Sequence, residues 1–351
     1  MKLRSHIDFP AFAFQKYNAR SELMGIVTTS ALFDIPHDGP LRAAPEQREI
    51  QLSDEYSDVD GTHLVRPADF VPFRPTTDVT ALATAHSPQG EARQNWTVGI
   101  MVQDVRYVLR VHGKRHWYYD RWKGWTLSDA EPATSVPLGY HLAWGGPSLL
   151  PDGHPDQGEV DIWNPIGPGT LHRETPRKAV LPAPQIEAVD DPIVDPYKVY
   201  QPQGYAPISP VWRFRERHAG TYDDTWAKTQ HPFLPKDFDP AFYSVAHPSL
   251  QIKPLLRGDE VIRAANLFPG RPDITFSLPG LAFGAVVTYE NGEAFRLPLV
   301  LDGVHLELLG QTPQVRLTWR ISVPWNRGIR FLDLGEVNWS DAATLQQPAG
   351  V

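Results

Sequence analysis

Apolar and polar positions alternate with a period of two through much of the chain, the pattern of strands with one covered face. In VRYVLRVHG, Val105, Tyr107, Leu109 and Val111 share one face, while Arg106, Val108, Arg110 and His112 share the other. With the preceding WTVGIMV, residues 94–113 read as a hairpin. ELMGIVTTSALFDI (22–35) is apolar and β-branched and ends at the turn signal PHDGP, and DVTALATAHS (78–87) alternates up to SPQG. The last third returns to strands in EVIRAANLF, DITFSLPG, AVVTYENGEAFRLPLVL and VRLTWRISV, with an Asn-Gly hairpin turn in YENGEAF. In VRLTWRISV, Val315, Leu317, Trp319, Ile321 and Val323 alternate with Arg316, Thr318, Arg320 and Ser322. No long helical stripe and no internal repeat occurs. FLPKDFDPAFYSVA (233–246) is the best short-helix candidate, capped by Asp237 or Asp239 ahead of Pro240.

The middle breaks this pattern. Residues 131–210 hold 15 of the 35 prolines, and interior proline interrupts helices and ladders alike. Trp144, Trp163, Ile186 and Trp212 argue that these loops are ordered, because disordered linkers are poor in such residues. The expectation is a mainly β protein of antiparallel sheets, sandwich-like or in two β lobes, with long ordered Pro-rich loops and minor helix. One domain is expected over 1–351, with β lobes at 20–130 and 255–340 joined by a loop region at 131–250.

Composition narrows the function. The chain has 351 residues and no Cys, which excludes disulfides and thiolate metal sites and fits a reducing compartment. The first residues carry charges and a Pro where a signal peptide needs an apolar run, and no stretch approaches a membrane span. Cytoplasmic residence is therefore expected. A net charge of -8 argues against binding a phosphate backbone. No nucleic-acid or membrane partner and no cofactor is expected.

Three constellations invite chemistry. His112, His116 and Asp120 have helical metal-ligand spacing, but on a strand such positions lie roughly 13 Å apart, too far for one zinc. HWYYDRWKGW (116–125) is an aromatic cluster that reads either as hairpin packing around a Lys123-Gly124 turn or as a contact surface. WRFRERHAGTYDDTW (212–226) offers His218 as a base oriented by Asp223 or Asp224, or Glu216 and Asp223 as a glycosidase pair. No GxSxG, HExxH, P-loop or GxGxxG motif accompanies it. The reading preferred for it is a loop scaffold, in which Arg forks satisfy carboxylates and main-chain carbonyls and Asp223 caps a following turn. No catalytic or metal-ligating residue is assigned.

At this stretch the sequence resembles a known family. Trp212, Arg217, Gly220, Thr221, Tyr222, Asp223 and Trp226 look like the structural signature of a bacterial domain-of-unknown-function family encoded in type VI secretion clusters, beside VgrG spike, PAAR-like tip and effector genes. Further blocks follow the same order: Pro45-Glu46-Gln47, RPADFVPFRPTTDV (66–79), VHGKRHW (111–117), VPLGYHLAWGG (136–146), NPIGPG (164–169), LPAPQIE (181–187), LPKDFD (234–239), RGDE (257–260) and LTWR (317–320). The resemblance spans roughly residues 20 to 325. Two positions depart from the family pattern: Trp144 stands where Phe is common, and Thr170 where an aromatic often follows the NPxGxG block. The resemblance implies an adaptor, or chaperone, that binds a cognate effector through its PAAR-like or N-terminal region and loads it onto the VgrG spike. The expected contact residues are Trp117, Tyr119, Trp122, Trp125, Trp144 and Trp163, since eleven tryptophans exceed what a β core of this size needs. The rival readings are a carbohydrate-active hydrolase and a structural component of the spike.

Overall fold

Strand Gln314–Pro324 shows why this chain builds sheets in layers. Its apolar face enters the main core, and its polar face is buried as well, so it needs covering on both sides. The computed structural model describes residues 1–57, 63–150 and 159–337. Among these the protein is mainly β, with two short α-helices and no closed barrel. The Pro-rich stretch at 151–158 lies outside the described residues.

Gln314–Pro324 is central in a seven-stranded sheet. On one side it pairs with Val300–Glu307, then Thr77–Leu82, then Gln251–Ile252. On the other it pairs with Leu23–Asp34, which carries Ala11–Tyr17 and the short Arg42–Ala43. A four-stranded sheet runs Lys2–Ser5, Ile329–Glu336, Phe283–Tyr289, Ala294–Pro298. Trp319 meets Phe283 edge-to-face at 4.9 Å, which packs these two sheets together. A five-stranded sheet runs Ile186–Ala188, Val105–His112, Asn95–Val102, Val261–Ala265, Asp273–Ser277. The seven- and five-stranded sheets thus each draw strands from both strand-rich ranges of the chain, and one apolar cluster runs through all three sheets.

The antiparallel pairings include the expected hairpin at 94–113, whose register sets Val105 opposite Val102. Among the described strands three pairings are parallel: Val300–Glu307 with Thr77–Leu82, Lys2–Ser5 with Ile329–Glu336, and Ser148–Leu149 with Thr170–Leu171. The helix expected within 233–246 is a single 3-10 turn, Pro240–Tyr243, with Asp239 as its cap. The Asp239 side chain accepts from Ala241 N–H, and Pro240 stands where no donor is needed.

Candidate partner-binding surface

The WRFRERHAGTYDDTW stretch forms two short helices, Arg213–Glu216 and Asp224–Thr229. Asp223 caps the second by accepting from Trp226 N–H at 2.8 Å. Between them Gly220 has φ +80°, and a Cβ there would sit 2.9 Å from Asp237 Oδ1. Thr221 donates its N–H and its hydroxyl to Asp237. His218 is oriented by Asp239, not by Asp223 or Asp224, with Nδ1 2.7 Å from the carboxylate. Its Nε2 accepts from Arg217 Nε at 3.1 Å, which occupies the position a general base would use. Glu216 pairs with Arg213. The buried cation of the stretch is Arg215, which donates to the carbonyls of Ile208 and Phe242, both at 2.9 Å. Arg217 is exposed and lies over the Trp163 ring. Trp212 is buried edge-to-face against Tyr140, and Tyr222 packs on Trp226.

The other blocks are joints of the same kind. Gly145 and Gly146 close onto the NPIGPG block, where a Cβ on Gly146 would clash with Gly167 O. Asn164 Nδ2 donates to the carbonyls of Tyr140 and Trp144, both at 2.8 Å. Gln47 brackets Leu32, accepting from its N–H and donating to its carbonyl. Glu260 accepts the N–H groups of Arg257 and Gly258.

Two joints are charged. Glu187 is buried and faces Arg110, His112 and Arg115, with His112 Nε2 at 2.9 Å and Arg115 Nη2 at 2.8 Å. Burial opposes its charge, but the His112 hydrogen bond and the Arg115 guanidinium outweigh that and bring its carboxyl down to about 2. The second joint lies under the polar face of Gln314–Pro324. Arg316 pairs with Asp69, and Arg320 pairs with Asp302 while standing 3.7 Å from Asp69. Burial works against the Asp69 charge, yet Arg316, Arg320 and Arg74 hold its carboxyl below the usual range. Burial pushes Asp78 and Asp302 up. It also pushes the neighbouring His305 down to about 4, leaving it neutral.

The metal-like spacing at 112–120 is used otherwise. His112 bonds Glu187, His116 lies 3.2 Å from the Ser128 hydroxyl, and Asp120 accepts the Trp122 and Lys123 N–H groups of its turn.

The tryptophans divide. Trp117 and Trp144 are buried in a satellite core with Leu171, Ala183, Ile193 and Tyr200, and Trp125 packs against it. Trp163 packs against the main core. Tyr119 meets Trp125 edge-to-face and carries Arg177 over its ring. Trp122, at the tip of the hairpin formed by His116–Asp120 and Gly124–Leu127, is 86% exposed. The structure therefore brings Trp117 and Trp144 together inside a core, with Trp125 packed against it, and leaves Trp122 facing solvent.

Beside that core a cavity of about 480 Å³ opens against the edge of the five-stranded sheet. Its wall includes Arg106, Glu187, Asp190, Gln203 and His247. His247 stacks on Tyr107 at 4.7 Å, nearly parallel, and burial lowers it to about 4, so that it is neutral. Tyr107 donates to Gln203 at 2.8 Å. The rim is the loop at 189–200, held by Tyr200, whose hydroxyl accepts the Val194 and Asp195 N–H groups. Val189, Val194, Tyr197 and Val199 are exposed along it. Eleven of the eighteen exposed large apolar side chains among the described residues lie between 118 and 222 in the sequence.

The model of a family described as uncharacterized protein conserved in bacteria (DUF2169) matches residues 20–320. The chain belongs to this family. No curated protein and no solved structure matches the chain. Strands Lys2–Ser5 and Ala11–Tyr17 precede the segment that matches DUF2169, and Ile329–Glu336 follows it.

No local sequence pattern marks Tyr107, Gln203 and His247 as wall residues of one cavity. The HPS turn at 247–249 was a legible signal only for a local cap.

Proposed function

We propose that the protein is a type VI secretion adaptor that binds one cognate effector and loads it onto the VgrG spike. The observation that carries this reading is a Pro-rich middle held in place by buried joints while it presents exposed apolar side chains. A surface ordered in advance loses little conformational entropy when a partner docks. The bound element would be the PAAR-like or N-terminal region of the effector, and loading would take place in the donor cytoplasm. Among the described residues no helix is long and apolar enough to cross a membrane, in keeping with that location.

Deleting the gene in its native cell tests the proposal. Delivery of one neighbouring effector should stop while other effectors and the tube protein are still secreted. Loss of all secretion would instead support a structural component of the spike. Turnover by the purified protein on a panel of glycans would support a carbohydrate-active hydrolase.

A further inference from the structure

Strand Ala11–Tyr17 is one edge of the seven-stranded sheet, and among the described residues no strand pairs with its outer side. The direction of its main-chain groups follows from the register. Asn18 N–H donates to Glu22 O, and Ser30 N–H to Pro10 O. The hydrogen-bonded positions against Leu23–Asp34 are therefore the even ones, Phe12, Phe14 and Lys16. The N–H and C=O groups of Ala11, Ala13, Gln15 and Tyr17 point the other way, where no main-chain partner stands among the described residues.

Open edges are usually guarded by charge, proline or a bulge. Three other outer strands carry such residues: Lys2–Ser5 has Lys2 and Arg4, Ala294–Pro298 has Arg296 and Pro298, and Asp273–Ser277 begins with Asp273, while Ile186–Ala188 and Gln251–Ile252 are only three and two residues long. In Ala11–Tyr17 the one charge, Lys16, is turned away. Its ammonium donates to Phe70 O at 3.1 Å and lies over the Phe70 ring. Phe12, Phe14 and Phe70 form an aromatic row beside the edge, and the Phe70 and Tyr17 side chains are exposed.

We propose that this edge pairs with the same edge of a second copy of the chain, making one sheet continuous across a two-fold axis at Phe14. The sequence is self-complementary in that antiparallel register. Ala13 faces Gln15 of the second copy and Ala11 faces its Tyr17, so every outward N–H meets a carbonyl. Lys16 falls opposite Phe12 of the second copy, which places no like charges across the seam. Phe14 meets its own symmetry mate in a non-hydrogen-bonded pair. The dimer is independent of the adaptor reading and fixes a stoichiometry for it, two chains.

The chain has no Cys, which makes a single introduced thiol diagnostic. At a non-hydrogen-bonded pair the Cα atoms lie about 4.5 Å apart, within disulfide reach. Phe14→Cys should give a cross-linked dimer under mild oxidation, and Thr275→Cys, on a guarded edge, should not. Light scattering on the purified full chain should show the mass rising above 39.4 kDa with concentration. Ala13→Pro removes an outward N–H without touching the ladder to Leu23–Asp34 and should weaken the dimer at least tenfold with an unchanged circular dichroism spectrum. A wild-type chain that stays monomeric overturns the proposal. So does a dimer that survives Ala13→Pro unweakened, or one in which position 14 fails to cross-link. Protection of the Ala13 and Gln15 amides by added effector in a monomeric chain would reassign the edge to that partner.

Discussion

Thr221 donates its main-chain N–H to Asp237 Oδ1 at 3.0 Å and its hydroxyl to Asp237 Oδ2 at 2.7 Å. Two sequence blocks 16 positions apart are thereby locked as one unit. Gly220 makes the approach feasible, since any larger residue would meet Asp237 and Pro235. Gly220→Ala should cost about 1–3 kcal/mol in chemical denaturation. Gly292→Ala is the control, because Gly292 also has positive φ but has open space around it. An equal loss for both variants would show that backbone conformation alone matters and that the close approach does not.

Arg215 and Arg217 sit two positions apart and should behave differently. Arg215 is buried and satisfies two carbonyls that no ladder reaches. Arg215→Ala should destabilise by about 3 kcal/mol or more, since it leaves both carbonyls unpaired and opens a void. Arg217, part of the same signature, is exposed over the Trp163 ring. Arg217→Ala should cost about 1 kcal/mol or less. Paired melting curves decide between the two assignments. A larger loss at Arg217 would make it, and not Arg215, the anchor of the stretch.

The period of two made the strands legible, because burial of one face leaves that mark on the sequence. It did not show that the polar face of VRLTWRISV is buried too. Arg316 and Arg320 are covered by Asp69, which stands 247 positions from Arg316, and no local pattern encodes so distant a partner. The Asp223 cap and the bend at Gly220 were legible in the Arg-rich stretch, but the partners of Arg215 and His218 were not. Trp117 and Trp144 show the same limit. Composition marked a surplus of tryptophan, and a second small core absorbed part of it.

Acid should weaken the fold in two stages. His247 and His305 are lowered from 6.5 to about 4 by burial, so the unfolded chain binds protons before the folded one does. Their contribution is complete above pH 6.5 and is lost as pH falls from there through 4, about 3 kcal/mol each at most. Glu187, lowered from 4.5 to about 2, follows: its contribution is present above pH 4.5 and lost as pH falls toward 2. Urea titrations across this range should show stability falling already between pH 6.5 and 5. In a His247→Gln, His305→Gln double variant that early slope should flatten while the later one remains. An early slope unchanged by the double substitution would assign it to other groups.

Trp122 is almost wholly solvent-exposed at its hairpin tip, whereas Trp117 is nearly fully buried below it. Trp117→Ala should therefore cost about 3–5 kcal/mol of stability, and Trp122→Ala should leave the melting temperature within error. If the effector docks across the hairpin and the 189–200 loop, Trp122→Ala should also weaken its binding by roughly 2 kcal/mol, the scale of an interfacial hot spot. Hydrogen exchange with and without effector locates the footprint. Strand Gln314–Pro324 is a poor reference, since it is central and covered on both faces and exchanges slowly in any case. The exposed edge strand Asp273–Ser277 is the better one. Protection at 116–127 and 189–200 with none at 273–277 is the expected result. Protection confined to 273–277, with Trp122→Ala binding as tightly as the wild type, would move the docking surface to the opposite edge of the five-stranded sheet.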